Sequence, residues 1–393
     1  MAILRDCGSH EPGSNPGPGP FGLFEKRDFT DNMTIEEEVR AIQEEIDKTQ
    51  KNKATEHHLG RLKAKMARLK DDLIKQAMAK GGGVGGYSVK KSGDATVTLV
   101  GFPSVGKSTL INKLTDAHSE VGAYEFTTLD VIPGVMEYKD AKIQILDLPG
   151  LVRGAAAGRG RGREVISVIR GCDLILLLID VFNYHQLSVL EKELYDAGIR
   201  INQSPPDVTV TRTIKGGVLV TSTVDLSIDI ETIKTVLGEY KMHNALVNIR
   251  EDITTDQLID VVRGNRVYIP ALLVINKVDL VDKEFVKSLP KDAVLISADR
   301  ELNLDTLRES IYDQLGFINI YLKPQGEQAD LEEPMITRTG STVGDVCDRL
   351  HKDFRRKFRY ARVWGDSAKH AGQRVGLDHG LEDGDILTII IQK

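Results

Sequence analysis

A glycine-rich segment that ends in lysine and serine is the first part of this sequence with residue types suited to phosphate chemistry. The segment GFPSVGKS, residues 101–108, follows the apolar run Thr96 to Val100 and precedes the helical run Thr109 to Leu114. In such a strand-loop-helix setting, backbone N–H groups approach the α- and β-phosphates, Lys107 reaches the β- and γ-phosphates, and the Ser108 hydroxyl ligates Mg²⁺. The residues predicted to contact the nucleotide here are Gly101, Phe102, Pro103, Ser104, Val105, Gly106, Lys107, Ser108 and Thr109.

A second phosphate signal follows the strand predicted over Ile143 to Leu146. There the sequence reads Asp147, Leu148, Pro149, Gly150. An aspartate at a strand end can hold Mg²⁺ through water, and the Gly150 N–H can sense the γ-phosphate, which is typical of a switch segment. Taken alone, such a tetrapeptide is usually only a turn. Its position 40 residues after Lys107 favours the functional interpretation.

The base is predicted to be selected by Asn276, Lys277 and Asp279, which end another apolar run. The Asp279 carboxylate can accept from guanine N1–H and the 2-amino group, whereas adenine has an acceptor at N1 and no 2-amino group. Such polar pairing discriminates by about 10⁴ or more, because the wrong base leaves buried groups unpaired. Ser297 and Ala298 follow the next strand, where a backbone N–H can meet guanine O6. GTP is therefore expected over ATP.

Three further positions complete the predicted catalytic site. Thr128, with Thr127 as the alternative, lies in the loop after the phosphate-binding helix and is expected to join Ser108 and Asp147 around Mg²⁺. Leu151 occupies the position where many GTPases have the glutamine that orients the attacking water, so slow intrinsic hydrolysis is expected. The residues predicted to act in catalysis are Lys107, Thr128 and Gly150.

Composition excludes several classes of protein. With 41% hydrophobic and 28% charged residues, the chain has the balance of a globular protein, and we find no apolar run long enough to span a membrane. Its three cysteines are far apart, which fits neither a disulfide framework nor a zinc site and points to the cytoplasm. The net charge is −6, yet residues 51–80 carry nine Lys or Arg against three acids, and residues 351–362 carry six against one. These segments suit RNA contact, with a solvated helix face as the alternative.

The pattern along the chain predicts an α/β fold with a mostly parallel sheet and three additional units. Residues 208–226 read as a β-hairpin inserted into the sheet domain. The C-terminal unit reads as a strand at Ile318 to Leu322, a capped helix from about Thr342 to Phe354 and a last strand at Ile386 to Ile391. The predicted divisions are a disordered extension (1–32), a basic helical hairpin (33–80), a glycine-rich linker (81–94), the sheet domain (95–315), its inserted α+β subdomain (184–262) and the C-terminal unit (316–393).

Longer segments of the sequence resemble the developmentally regulated GTP-binding protein family. They include YEFTTLDVIPGV, DLPGLVRGAAAGRGRGREVI, YKMHNALVNIRED and YARVWGDSAKHAGQRVGLDHGLEDGDIL. The resemblance implies an Obg-related P-loop GTPase of the translation-factor class, with a C-terminal TGS domain of β-grasp shape and a role at the ribosome. It also implies a hydrophobic residue in place of the catalytic glutamine, here Leu151. Potassium-activated GTPases usually carry asparagine where Ser104 stands. Ser104 departs from that pattern, so the sequence leaves activation by K⁺ undecided.

Two functions from different classes fit these observations. The first is a GTP-hydrolysing switch that contacts ribosomes or RNA through residues 51–80 and the TGS domain, with a regulatory protein as a further partner and with no DNA or membrane. The second is an RNA-binding adaptor whose nucleotide turns over negligibly, a possibility that Leu151 keeps open. An ATPase of a related branch is disfavoured by Asp279.

Overall fold

The computed structural model describes residues 34–50, 52–53, 55–80, 93–115, 132–148 and 162–392. Its N-terminal part is the predicted pair of helices, α1 (Ile35–Lys48) and α2 (Glu56–Lys80). Thr34 caps α1 through a reciprocal capping box with Glu37. The two helices bury a common apolar seam that includes Ile42 and Leu62. The predicted extension (1–32) and most of the linker (81–92) lie outside the described residues.

The central domain begins with a strand, the predicted phosphate-binding loop and a helix. Its first elements are β1 (Ala95–Val100), α3 (Lys107–Leu114), β2 (Ile132–Tyr138), β3 (Ala141–Asp147), α4 (Gly162–Arg170), β4 (Leu174–Asp180), α5 (Gln186–Asp196) and β5 (Ile199–Ile201). Strand β2 pairs antiparallel with β3, and β1 lies parallel between β3 and β4. β1 and β4 are buried along their whole length, as near-continuous apolar runs in a parallel sheet require.

The inserted subdomain differs from its prediction. It contains β6 (Val208–Arg212), β7 (Val218–Ser222), α6 (Ile230–Glu239), β8 (Ala245–Ile249) and α7 (Thr255–Arg263). The predicted hairpin is wrong, because β8 lies between β6 and β7, antiparallel to the first and parallel to the second. The alternation of apolar residues marked two strands correctly but could not identify their pairing partner.

The chain then returns to the central sheet and completes it. The elements are β9 (Val267–Ile269), β10 (Ala271–Asn276), a 3₁₀ turn (Val278–Leu280), α8 (Lys283–Ser288), β11 (Val294–Leu295) and α9 (Leu304–Leu315). The order of the six described strands is β11-β10-β4-β1-β3-β2, parallel throughout except for β2. The motifs that contain Lys107, Asp147, Asn276 and Ser297 follow the carboxyl ends of β1, β3, β10 and β11, which is where open α/β sheets bind ligands.

Two apolar cores cover the two faces of this sheet. Leu110, Leu307 and Ile311 belong to one core, and Ile169 and Leu190 belong to the other. Helix α5 and strand β5, which the prediction assigned to the insertion, contribute to the second core and so pack with the main sheet.

The C-terminal unit has the β-grasp arrangement. It contains β12 (Phe317–Leu322), β13 (Met335–Arg338), α10 (Val343–Leu350), α11 (Lys352–Arg356), β14 (Phe358–Trp364), β15 (Gln373–Val375) and β16 (Ile386–Ile391), with the strand order β13-β12-β16-β14-β15. The helix predicted from Thr342 to Phe354 is two helices. Extended backbone at His351 (φ −170°, ψ 143°) ends α10, and the His351 side chain then caps α11.

Both outer units pack on the rest of the chain. In the C-terminal unit, Phe317 packs on the Tyr312 ring of α9, and Arg338 pairs with Asp173 at 3.0 Å. At the other end, α2 lies against α6, and Ala64 and Ala67 enter the core of the inserted subdomain. Within the described residues, no helix is both long and apolar enough to cross a membrane.

Candidate nucleotide-binding site

The loop from Gly101 to Gly106 joins β1 to α3 in a shape that requires glycine. Gly106 precedes α3 with φ +95°, in the left-handed region, and a Cβ there would overlap the Asn276 side-chain nitrogen. A Cβ on Gly101 would overlap the backbone oxygen of Leu178 on β4. Ser104 also has a left-handed φ, at +67°. The loop is therefore held close to two neighbouring strands and directs the N-terminus of α3 toward the predicted phosphate position.

Lys107 is the cation of this loop. Its Nζ donates to the backbone oxygens of Gly101 and Phe102, at 3.1 and 3.2 Å. Burial lowers the pKa of Lys107, and the nearby Asp147 carboxylate partly opposes that shift. The cation is thus partly stripped of water, and the hydrogen bonds of its Nζ to described residues go to neutral carbonyls. A phosphate oxygen would offer an anionic acceptor in place of these carbonyls.

Ser108 and Asp147, both predicted to hold Mg²⁺, meet across the loop. The Ser108 hydroxyl donates to Asp147 Oδ2 at 2.9 Å, while Oδ1 of the same carboxylate is buried and has no hydrogen-bond partner among the described residues. An unpartnered buried carboxylate oxygen costs free energy, and oxygen ligands of this kind suit Mg²⁺. In the described part of the chain, no group of three or more His, Cys, Asp or Glu side chains could hold a metal. The residues present fit an ion that takes its remaining ligands from phosphate and water.

Asn276 joins the base-selecting segment to the phosphate loop. Its side-chain nitrogen donates to the Val105 oxygen at 2.9 Å, and its side-chain oxygen accepts from the N–H groups of Lys277 and Ala298, at 2.8 and 3.0 Å. Lys277, with φ +65°, extends over the loop and donates to the Ser104 oxygen at 2.8 Å. The buried Asn276 amide is thus hydrogen-bonded to three motifs: the phosphate loop at Val105, the base-selecting segment at Lys277 and the following loop at Ala298.

Asp279 and Ser297 lie at the rim of this arrangement. The Asp279 side chain is 19% exposed, and its carboxylate is 4.0 Å from Arg300 Nε. Ser297 is buried and accepts from the Arg300 N–H, which fixes the loop that carries Ala298. The carboxylate remains accessible to a base that offers two donors.

A cavity of about 380 Å³ lies where these segments converge. Sequence reasoning missed Asp299, which lines it, and Asp180, whose carboxylate is 3.9 Å from Lys277 Nζ. Asp180 was detectable in principle as a carboxylate at the end of the apolar run of β4, although its place beside Asn276 depends on strand register. The residues that line the cavity are Ser104, Gly106, Lys107, Ser108, Thr109, Asn276, Lys277 and Asp299.

The remaining predicted site residues divide into two groups. Leu148 is buried against the second core, so it supports the loop from beneath. Thr128, its alternative Thr127, Pro149, Gly150 and Leu151 lie outside the described residues, and their roles stay predictions.

Several cations of helix α2 form ion pairs or hydrogen bonds with other parts of the chain. Arg61 pairs with Glu239 at 3.4 Å, and Arg68 donates to the Glu239 backbone oxygen at 2.8 Å. Lys63 pairs with Asp256 at 2.6 Å, and Lys65 with Glu38 at 2.7 Å. Neither the predicted RNA contact nor the solvated-face alternative anticipated these ion pairs.

Fold and site together define a P-loop GTPase with a C-terminal TGS domain. Residues 96–212 match the family described as "50S ribosome-binding GTPase", residues 215–317 match the C-terminal region of that domain, and residues 318–391 match the TGS domain.

The chain is similar along nearly its whole length to several GTP-binding proteins. It is 60% identical to a GTP-binding protein of Methanocaldococcus jannaschii, with 92% of this chain and 94% of that protein covered. It is 49% identical to developmentally-regulated G-protein 3 of Arabidopsis thaliana (91% and 99% covered) and 48% identical to developmentally-regulated GTP-binding protein 1 of Xenopus laevis (90% and 98%). The chain belongs to the developmentally regulated GTP-binding protein family.

Proposed function

We propose that this GTP-binding protein hydrolyses GTP to GDP and phosphate and acts as a ribosome-associated switch in translation. The observation that carries the catalytic part is the contact between Ser108 and Asp147, beside a partly desolvated Lys107. A hydroxyl, a carboxylate with a free buried oxygen and a cation converge there, and phosphoryl transfer needs those groups around the β- and γ-phosphates.

On the phosphate side, each residue has a distinct task. With GTP bound, Ser108, Asp147 and Thr128 would hold Mg²⁺, which neutralises charge on the β- and γ-phosphate oxygens. Lys107 exchanges its bonds to the Gly101 and Phe102 oxygens for bonds to phosphate oxygens. The N–H groups at the start of α3 orient the phosphate chain, and Gly150 donates its N–H to the γ-phosphate.

On the base side, Asp279 accepts from the two guanine donors, and the Ala298 loop places its N–H groups near guanine O6. Asn276 supports this arrangement, because its side-chain oxygen accepts from Lys277 and Ala298 and one amide hydrogen goes to Val105, which leaves the second amide hydrogen to donate to the base. We infer that the same amide keeps the base pocket and the phosphate loop in fixed relative position.

Hydrolysis is expected to be slow in the isolated protein. Leu151 cannot orient the attacking water as glutamine does, so the stabilisation must come from elsewhere. A ribosome, a regulatory protein or K⁺ near Ser104 could supply it, and these alternatives are separable by experiment.

The proposed ribosome role rests on three supports. The matching family is described as ribosome-binding, a TGS domain is present, and the family resemblance implies translation. Contact through residues 51–80 and the TGS domain is the proposal, and the ion pairs of α2 favour the TGS domain as the principal contact. We place the activity in the cytoplasm, since the three widely spaced cysteines of the sequence fit neither a disulfide framework nor a zinc site. Cys347 is buried, and burial raises the pKa of its thiol to about 11.

The first test is multiple-turnover phosphate release from GTP, measured with and without ribosomes and in K⁺ or Na⁺ buffer. The second test is co-sedimentation of the protein with ribosomes in the presence of a non-hydrolysable GTP analogue or of GDP. We expect slow release that at least one addition accelerates, and Ser108→Ala serves as the inactive control. If no condition gives release above that control while the protein still pellets with ribosomes, the protein is the RNA-binding adaptor. Faster turnover of ATP than of GTP would refute the guanine assignment.

A further inference from the structure

One face of the C-terminal sheet carries aromatic and cationic side chains in alternation. Along β14, Ala361 and Val363 point into the core of the TGS domain and are fully buried. Because strand side chains alternate, Tyr360, Arg362 and Trp364 share the opposite face. The two aromatic side chains are half-buried, and Arg362 is exposed.

This face concentrates positive charge in an acidic chain. The five described strands of the sheet contain no Asp or Glu. Arg362 lies directly opposite Arg374 in the β14–β15 pairing, an arrangement of like charges that is destabilising in a sheet. Among the described residues, neither arginine has a carboxylate within 4.0 Å, in contrast to the paired cations of α2. The charges remain available for an anionic ligand, which would relieve their repulsion.

Both aromatic rings are already organised for stacking. The Arg374 guanidinium lies 4.0 Å from the centre of the Tyr360 ring, and Lys323 Nζ lies 5.1 Å from that of Trp364. A Cβ on Gly372, which has φ +72°, would lie 3.2 Å from the Trp364 indole, so glycine lets the backbone pass close to this ring. A guanidinium plane stacked on tyrosine offers a further flat surface to an incoming base.

We infer that this face binds single-stranded RNA, and this inference rests on the proposed ribosome function. Residues two apart on a strand are about 6.7 Å apart, so Tyr360 and Trp364 flank Arg362 at spacings that suit alternating bases and phosphates. Stacking on aromatic or arginine planes contributes about 1–3 kcal/mol per base and tolerates any base sequence. An acidic protein segment would satisfy the arginines but would leave the aromatic planes unused. Bases within a duplex cannot reach those planes.

The sole tryptophan of the chain, Trp364, provides a local probe of this face. The test is a titration of the full chain with a single-stranded oligouridine of about 12 nucleotides, followed by tryptophan fluorescence. We expect saturable quenching, and weaker quenching by a duplex of the same length. Arg362→Ala/Arg374→Ala should weaken binding and reduce the slope of log affinity against log salt by about 1.4, which is about 0.7 for each cation lost. Tyr360→Leu, which keeps apolar bulk, should weaken binding without changing the slope.

A matched control removes two cations elsewhere. Lys48 and Lys234 are exposed and lie in the hairpin and the inserted subdomain, so Lys48→Ala/Lys234→Ala changes net charge equally and should bind the oligonucleotide as the unaltered protein does. Absence of quenching, or equal affinity and slope in the double-arginine variant and this control, would overturn the inference. Displacement of RNA by polyglutamate at equal charge would assign the face to an acidic protein instead.

Ribosome co-sedimentation separates this inference from the proposed function. If the unaltered protein and the double-arginine variant pellet equally with ribosomes, the ribosome role stands and the TGS face is not its contact. If neither pellets, the ribosome role fails, while oligonucleotide quenching still decides whether the face binds RNA.

Discussion

Replacing Gly106 with alanine tests how the phosphate loop and the base pocket are joined. Gly106 has φ +95°, and an added Cβ would overlap the Asn276 side-chain nitrogen. That nitrogen is the donor to the Val105 oxygen at 2.9 Å. The substitution therefore strains the loop backbone and displaces the amide that holds the Lys277 and Ala298 segments.

The size of the effect follows from these two costs. A non-glycine residue in the left-handed region costs about 1–2 kcal/mol. Loss of the Asn276 bond leaves a buried carbonyl without its partner, which costs about 1–3 kcal/mol. Without nucleotide, the loop of the variant is expected to relax into an unstrained conformation. Nucleotide binding must restore the original conformation, so the two costs add to the free energy of binding. A total of about 2–5 kcal/mol corresponds to a loss of affinity between about 30-fold and about 4,000-fold.

The assay is a fluorescence titration with a labelled GDP, combined with thermal unfolding without nucleotide. Gly238→Ala is the matched control, since Gly238 lies within α6 and a Cβ there meets nothing within 4 Å. Alanine is also the better helix former by about 0.8–1 kcal/mol, so this control should bind normally and unfold no earlier. If Gly106→Ala binds labelled GDP as tightly as the unaltered protein, the proposed junction between loop and pocket is wrong.

Four further changes test the site and the packing of the outer units. Asp279→Asn should weaken GTP binding and favour xanthosine triphosphate, whose 2-oxo group prefers a donor, and unchanged relative affinities in competition binding would refute the base assignment. Ser108→Ala should abolish Mg²⁺-dependent hydrolysis while the fold, followed by circular dichroism, survives; unimpaired turnover would remove the loop from the mechanism. Gly60→Leu should separate α2 from α6, since even a Cβ at that position would lie 2.8 Å from Thr232. Limited proteolysis should then cut the hairpin faster. The control is Ala41→Leu at an exposed position, which should leave the cleavage rate unchanged. Asp260→Ala should lower stability to denaturant by about 3–5 kcal/mol because it leaves the buried Arg200 without its counter-charge; an unchanged midpoint would contradict that pairing.

Much of the candidate site was predictable from local sequence. Lys107, Ser108, Asp147 and Asn276 follow apolar runs, and the carboxyl ends of parallel strands meet at one edge of a sheet. Their convergence on one site follows from that rule: Lys107, Ser108 and Asn276 line its cavity, and Asp147 is bonded to Ser108. Asp180 escaped prediction, because its place beside Asn276 depends on strand register, which no local motif records.

Short-range patterns determined the element types, the nucleotide motifs and the family of this protein. The glycine spacing, the capping box at Thr34 and the apolar periodicity all act over a few residues, so they can be read directly from the chain. Tertiary structure alone decided which surfaces remain free. Lys63 meets Asp256 193 positions away, β8 separates β6 from β7, and Arg362 faces Arg374 across a strand pair. Such contacts form only when distant segments pack, and the burial of their combined apolar surface selects which segments pair. The periodicity of one segment is compatible with many partners, so the sequence of that segment does not identify the partner.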